Sequence, residues 1–178
     1  MGRPDYEALL RSSRRRPMAD PAALPVKLDY GRDAIERILP HRDPFLLVDR
    51  LTGLDREAGL ISGERTLDAS LPVFAGHFPG QPVYPGCLEV EMIGQLGLCL
   101  THFLLRETDG IGPGAYPPLD VRATKIIGAQ FLAPARPGDR VVLLARLTEH
   151  DDFLGAILGQ ALVGDEVACV AACEVAFL

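Results

Sequence analysis

Two residues of this sequence are of a type and in a setting to move protons: His77 and Glu91. His77 stands in the stretch FAGHFPGQPVYPGCLEVEMIGQ, residues 74 to 95. Gly76 precedes it and Phe78-Pro79-Gly80 follows, which restricts the backbone and leaves apolar surface nearby. A neutral imidazole held there suits a base near pH 7. Glu91 opens an apolar helix and has a rival in Glu89, two residues earlier. The two point to different faces, and both cannot be buried without partners. One is expected to be a solvated first-turn carboxylate that favours the helix dipole. Gln95 lies four residues after Glu91, within reach of its carboxyl, whereas Glu89 has Ile93 at that spacing. Glu91 is therefore the expected acid and Glu89 the solvated charge. Desolvation would raise the Glu91 pKa and let it act as an acid at neutral pH. Gly86 stands where the helix starts, and its unpartnered N–H can hold a carbonyl oxygen that gains negative charge. A base, an acid and an oxyanion donor suit proton abstraction beside a carbonyl, coupled to loss or gain of a hydroxyl. The simpler readings are a structural loop histidine, an ordinary early-helix charge and a glycine that permits a turn.

These residues need a frame. A helix is predicted over about Leu88 to Arg106; it is apolar nearly all round and must be buried on most sides. A short helix is expected in GRDAIERIL, ended by Pro40. FLLVDRLTGLD and AGLISGERTL read as a hairpin. Later strand candidates are Val121–Phe131, Arg140–His150, Asp152–Val163 and Glu166–Phe177, the last two joined across a Gly-Asp turn. DGIGPGAYPPLD is a loop. The pattern of five or six strands and one central helix is α+β, a curved antiparallel sheet around a buried helix. Such a sheet leaves edges that a partner chain can extend, so at least a dimer is expected.

The chain has 178 residues, which suits one domain. Residues 1–26 read as an N-terminal extension and linker, with a short helix ending in the basic run Arg14-Arg15-Arg16; residues 27–178 read as the domain. A net charge of −6 argues against a general nucleic-acid binder. Met92–Leu105 carries Gln95, Thr101 and His102 and is too short to span a bilayer. No signal peptide is evident, so a cytoplasmic, reduced setting is expected. Cys169 and Cys173 fall in a predicted strand, where residues four apart lie roughly 13 Å from each other, too far for one ion or a disulfide. His41, His102 and His150 are expected to be structural or exposed.

LPHRDPFLLVDR, residues 39 to 50, resembles the opening signature of (3R)-3-hydroxyacyl-acyl-carrier-protein dehydratases of the FabZ type. GHFPGQPVYPGCLEVEMIGQ is similar to their catalytic segment, and FLAPARPGDRV to a later turn, in the same order. The resemblance implies a hot-dog fold, in which an antiparallel sheet wraps a long helix. It implies a homodimer with interface active sites, often assembled as a trimer of dimers. By position, His77 matches the motif histidine that removes the C2 proton. Glu91 matches the acid that helps the C3 hydroxyl leave, with the two drawn from opposite subunits. The Gly86 N–H would polarise the thioester carbonyl, and Gln95 would support the acid. Phe78, Pro79, Tyr84 and Pro85 would lie along the acyl tunnel. No cofactor is implied: the substrate rides on the phosphopantetheine arm of acyl carrier protein, and Arg14–Arg16, Arg122, Arg136 or Arg140 are candidates to receive that acidic partner.

The chain departs from the family pattern. Tyr84 replaces the usual Met, Glu89 occupies a commonly apolar position, and Gly94 stands in for Ala. These changes bear on the acyl substrate more than on the chemistry and fit a dedicated polyketide-like or polyene-like pathway as well as fatty-acid synthesis. The sister FabA type, which also isomerises the double bond, typically has Asp at the acid position. Glu91 favours the plain dehydratase, although PGCL and QLG have the sister's flavour. A hot-dog thioesterase and a non-catalytic carrier-binding subunit are the competing classes.

Overall fold

The computed structural model describes residues 5–114, 116–117, 121–151 and 153–177. The first four residues of the expected extension lie outside the described residues. So do Ala115, Pro118, Leu119 and Asp120 of the expected loop, and Asp152 at the start of an expected strand.

Among the described residues twelve elements follow one another. Helix α1 covers Tyr6–Ser13, and a single 3-10 turn, Pro21–Ala23, leads into β1, Val26–Gly31. Helix α2 is Arg32–Ile38, and β2 and β3 are Arg50–Asp55 and Leu60–Thr66. The one-turn α3, Val73–Gly76, precedes the long α4, Gly86–Leu105. Strands β4 to β7 are Val121–Phe131, Arg140–His150, Leu154–Val163 and Glu166–Phe177. The strands form one antiparallel sheet in the order β1-β2-β3-β5-β6-β7-β4. Its edges are β1 and β4. This is the expected hot-dog fold, with one strand more than the sequence showed.

Strand alternation explains what each face does. On β5, Leu143 and Ala145 point to the core that holds α4, while Val142 and Leu144 point the other way. On β7, Cys169, Ala171 and Cys173 face α4, and Val170 and Ala172 face outward. Met92, Ile93, Leu96, Cys99, Leu100 and Phe103 on α4 are fully buried against the sheet. At about 1.5–3 kcal/mol for each large apolar side chain, this helix face contributes on the order of 10 kcal/mol. The approach is close enough to require glycine on β6. A Cβ at Gly159 would run into Ile93 and come within 2.8 Å of the Leu144 carbonyl oxygen. α4 is long and apolar enough to cross a membrane by length and composition, but 67% of its apolar window is buried inside the protein.

The N-terminal extension is packed. Leu10 on α1, with Tyr6, Leu9 and Met18 beside it, covers Leu144, Leu158, Leu162 and Val170 on the outer face. Gln160 on β6 fixes the passage after α1: its amide donates to the Ser13 and Arg16 carbonyls and accepts the Met18 N–H at 2.7 Å. With α4 on one side and this segment on the other, residues Gly155–Leu162 of β6 are all buried. That double cover is why β6 reads as a nearly continuous run of apolar and small residues.

Candidate active site

His77 ends α3. Its N–H donates back to the Val73 carbonyl at 3.1 Å, and its own carbonyl accepts the Val83 N–H at 2.8 Å. The ring is pinned by the same partner, since Nδ1 lies 2.9 Å from the Val83 carbonyl oxygen. A carbonyl can only accept, so Nδ1 carries the proton and Nε2 is left with a lone pair. That is the tautomer a base needs. Phe78 stacks on the ring at 4.0 Å between centroids.

The N-cap residue of α4 is Pro85, which has no side-chain acceptor and makes no cap hydrogen bond. Gly86 is required there because a Cβ would lie 2.5 Å from the Phe131 ring on β4. His77, Tyr84, Pro85, Gly86, Cys87 and Glu89 share a cavity of about 580 Å³ with Phe131–Pro134. The base and the helix N–H groups that could stabilise an oxyanion are therefore neighbours within one protomer. Phe78 and Pro79 are exposed and outside this cavity, whereas Tyr84 is buried and Pro85 lines the wall.

Glu91 lies elsewhere. It lines a second, mostly apolar cavity of about 440 Å³ with His41, Gly94, Gln95, Leu98 and Arg122 among others. The Gln95 amide donates to Glu91 Oε1 at 2.9 Å and to the Phe45 carbonyl at 2.8 Å, and its oxygen accepts the Leu47 N–H at 2.7 Å. A buried amide with both ends occupied holds the carboxyl in one place. One protomer thus brings His77 to Gly86 and Glu91 to Gln95, but does not put His77 and Glu91 in the same cavity.

One expectation is overturned. Glu89 is not the solvated carboxylate: it is 3% exposed, while the Glu91 side chain keeps 35% of its surface. Spacing along α4 could not reveal this, because the cover over Glu89 comes from β7 and from the segment around Tyr84. Burial pushes the Glu89 carboxyl up to about 7, only partly offset by the Cys169 thiol beside it. His41, expected to be structural or exposed, lines the Glu91 cavity with its Nε2 3.8 Å from Glu91 Oε1. Its place inside LPHRDPF, the stretch that supplies Phe45 and Leu47 to Gln95, was the available signal.

The FabA-like domain, as a family model, matches residues 39–172. The chain belongs to the FabA-like family. Among FabA-like relatives, a 3-hydroxyacyl-[acyl-carrier-protein] dehydratase FabZ of Campylobacter concisus is 35% identical over 138 residues, covering 78% of this chain and 90% of its own. A FabZ dehydratase of Xanthomonas oryzae pv. oryzae is also 35% identical, over 155 residues, 86% of this chain and 94% of its own. The dehydratase heterocomplex ApeI:P from Xenorhabdus doucetiae superposes with a TM-score of 0.60 at 16% identity, covering 81% of this chain and 90% of that one. That likeness speaks for the fold.

Proposed function

We propose that this FabA-like chain dehydrates (3R)-3-hydroxyacyl thioesters carried by acyl carrier protein. The observation that carries the reading is the pinned tautomer of His77, whose ring lines the same cavity as Gly86 at the start of α4. The thioester carbonyl accepts the Gly86 N–H. His77 Nε2 takes the C2 proton, and the electron pair passes through the enolate into a C2–C3 double bond. The C3–O bond breaks, and the hydroxyl leaves as water with a proton delivered by Glu91. The product is a trans-2-enoyl thioester. Every bond change is a proton transfer or a heterolysis, so no cofactor is called for beyond the carrier's phosphopantetheine arm.

The separation of His77 from Glu91 is resolved by pairing two chains. β4 is a sheet edge whose residues Arg122–Ile126 are exposed, and Phe131 at its end stands over Gly86. Joining β4 to β4 continues the sheet and brings His77 of one protomer toward Glu91 of the partner subunit; a trimer of such dimers is the larger assembly this reading allows. Of the arginines expected to meet the carrier, Arg122 lines the Glu91 cavity, Arg140 is engaged with Glu64, and Arg14–Arg16 follow α1 on the opposite face of the sheet. A cytoplasmic setting suits a partner that circulates with the carrier.

The test is hydration of crotonyl-carrier protein, the reverse reaction, followed by mass spectrometry with free thiol monitored in parallel. Hydration without thiol release, lost in both His77→Ala and Glu91→Gln, is the expected result. Thiol release would move the chain to the thioesterases. An intact acyl chain with this substrate and with longer 3-hydroxyacyl carriers would leave only a carrier-binding role.

A further inference from the structure

Glu89 has no part in the dehydration scheme above, yet it lies inside the cavity that holds His77. It is three residues beyond Gly86, on the same face of α4. Glu89 and Gly86 therefore line one cavity wall a helical turn apart. Only 3% of the Glu89 surface is exposed, and the residue lines the cavity wall with His77, Tyr84, Gly86 and Cys87. The Cys169 thiol lies beside it on β7, a weak donor. An ionised carboxylate there would repel the very charge that develops on the thioester. A neutral carboxylic acid would instead present an O–H to it.

We propose that Glu89 serves the same oxygen as the Gly86 N–H, its carboxyl O–H donating to the thioester carbonyl as that oxygen gains charge. The O–H bond stays intact throughout; the proton is shared in a hydrogen bond and not transferred. This rests on the dehydratase reading and adds a second donor to it. The commonly apolar residue of the family could not supply one, so the donor is a property of this chain. The titratable groups that face Glu89 are His77 from the loop after α3, Tyr84 from the segment before α4, Cys87 on α4 and Cys169 on β7. Arg65 on β3 serves the Tyr84 hydroxyl. None of these supplies a countercharge directly to the carboxyl, which agrees with burial raising its pKa to about 7.

The experiment is kcat/KM for enoyl-carrier hydration from pH 5.5 to 9 in wild type, Glu89→Gln and Glu89→Leu, with circular dichroism and size exclusion to confirm folding and assembly. Removing one oxyanion donor costs about 100-fold or more in rate, which is the loss expected for Glu89→Leu. In wild type the donor is present below about pH 7 and is lost as the carboxyl ionises above it, so the rate declines on the alkaline side. The amide of Glu89→Gln donates at every pH, so that variant stays within about tenfold of wild type and loses the alkaline decline. Wild-type kinetics in Glu89→Leu, or an unchanged alkaline decline in Glu89→Gln, overturns the proposal. If His77→Ala abolishes hydration while both Glu89 variants match wild type, the dehydratase reading stands and this inference alone falls. If wild type does not hydrate any enoyl carrier, both fall.

Discussion

Gln95 and Glu91 are joined by a 2.9 Å hydrogen bond, and the amide that makes it is itself tied to Phe45 and Leu47. The carboxyl is thereby held by a side chain that cannot turn without breaking two bonds to the main chain. Gln95→Leu would strand a buried Leu47 N–H and the Phe45 carbonyl and free Glu91 to rotate. A cost of about 2–3 kcal/mol is expected, or a fall in Tm of roughly 4–12 °C for a chain of this size. Gln95→Glu should retain some stability but place two carboxyls in contact and lower hydration further. Thermal melts and kcat/KM on the same preparations check both parts.

Two glycines with opposite surroundings should answer the same substitution with opposite signs. Gly159→Ala on β6 forces its Cβ against Ile93 and the Leu144 carbonyl, at an expected cost of about 1–3 kcal/mol. Gly94 lies within α4, and a Cβ there meets nothing within 4 Å. Gly94→Ala should gain about 0.5–1 kcal/mol from helix propensity. Because Gly94 lines the Glu91 cavity, the same methyl should lower turnover of the bulkiest acyl chains first. Urea titrations and a chain-length series separate the two effects.

The packed N-terminal segment predicts a third outcome. Leu10 is 6% exposed against the outer face of the sheet. Leu10→Ala should destabilise by about 2 kcal/mol, the low end for a buried leucine, because the site is near the surface and can collapse. Hydration activity should be retained below the melting transition, since both cavities lie on the α4 side. A melt that does not move would mean that residues 6–18 do not pack in solution.

The pH dependence of stability follows from two buried groups of opposite kind. Glu89 has its carboxyl raised from the ordinary 4.5 to about 7, so it stabilises below 4.5 relative to higher pH. That advantage is lost as pH rises through about 7 and amounts to on the order of 3 kcal/mol. His102 is 1% exposed, ringed by Phe103 and Tyr116, with burial lowering its pKa from 6.5 to about 4. Its neutral form favours the folded state above 6.5, and that contribution is lost as pH falls toward 4. Glu89→Gln should flatten the stability curve between pH 4.5 and 7, and His102→Phe should flatten it between pH 6.5 and 4. Denaturant titrations across that range read both.

Much of this was legible in the residues. α4 and the four late strands stood out because a helix apolar on all sides and strands buried on one or both faces leave strong periodic patterns. β1 did not: VKLDYG is a short edge strand with a register shift between Lys27 and Tyr30, directly after a proline-rich segment. Gln95 was found as a neighbour of Glu91 because i,i+4 spacing is local. The burial of Glu89 and the approach of His41 to Glu91 were harder to read for the converse reason, the second signalled only by its place in LPHRDPF. Each depends on a segment distant in sequence: β7 over Glu89, and the stretch before Phe45 beside Glu91. The cover that α1 lays on the outer face was equally hidden, since eight residues with modest apolar content do not announce a partner.

The strand order also has a consequence for synthesis. Among the described residues of one chain β4 pairs with β7, and β5 and β6 come between them along the chain. A growing polypeptide therefore releases β4 well before its hydrogen-bonding partner exists. Ile126 and Phe131 emerge with it, on an orphan strand that must wait while β5 and β6 are added. Nascent chains stalled ahead of Glu166 would display that strand and an open β6 together, the combination most apt to recruit a chaperone or a neighbouring nascent chain.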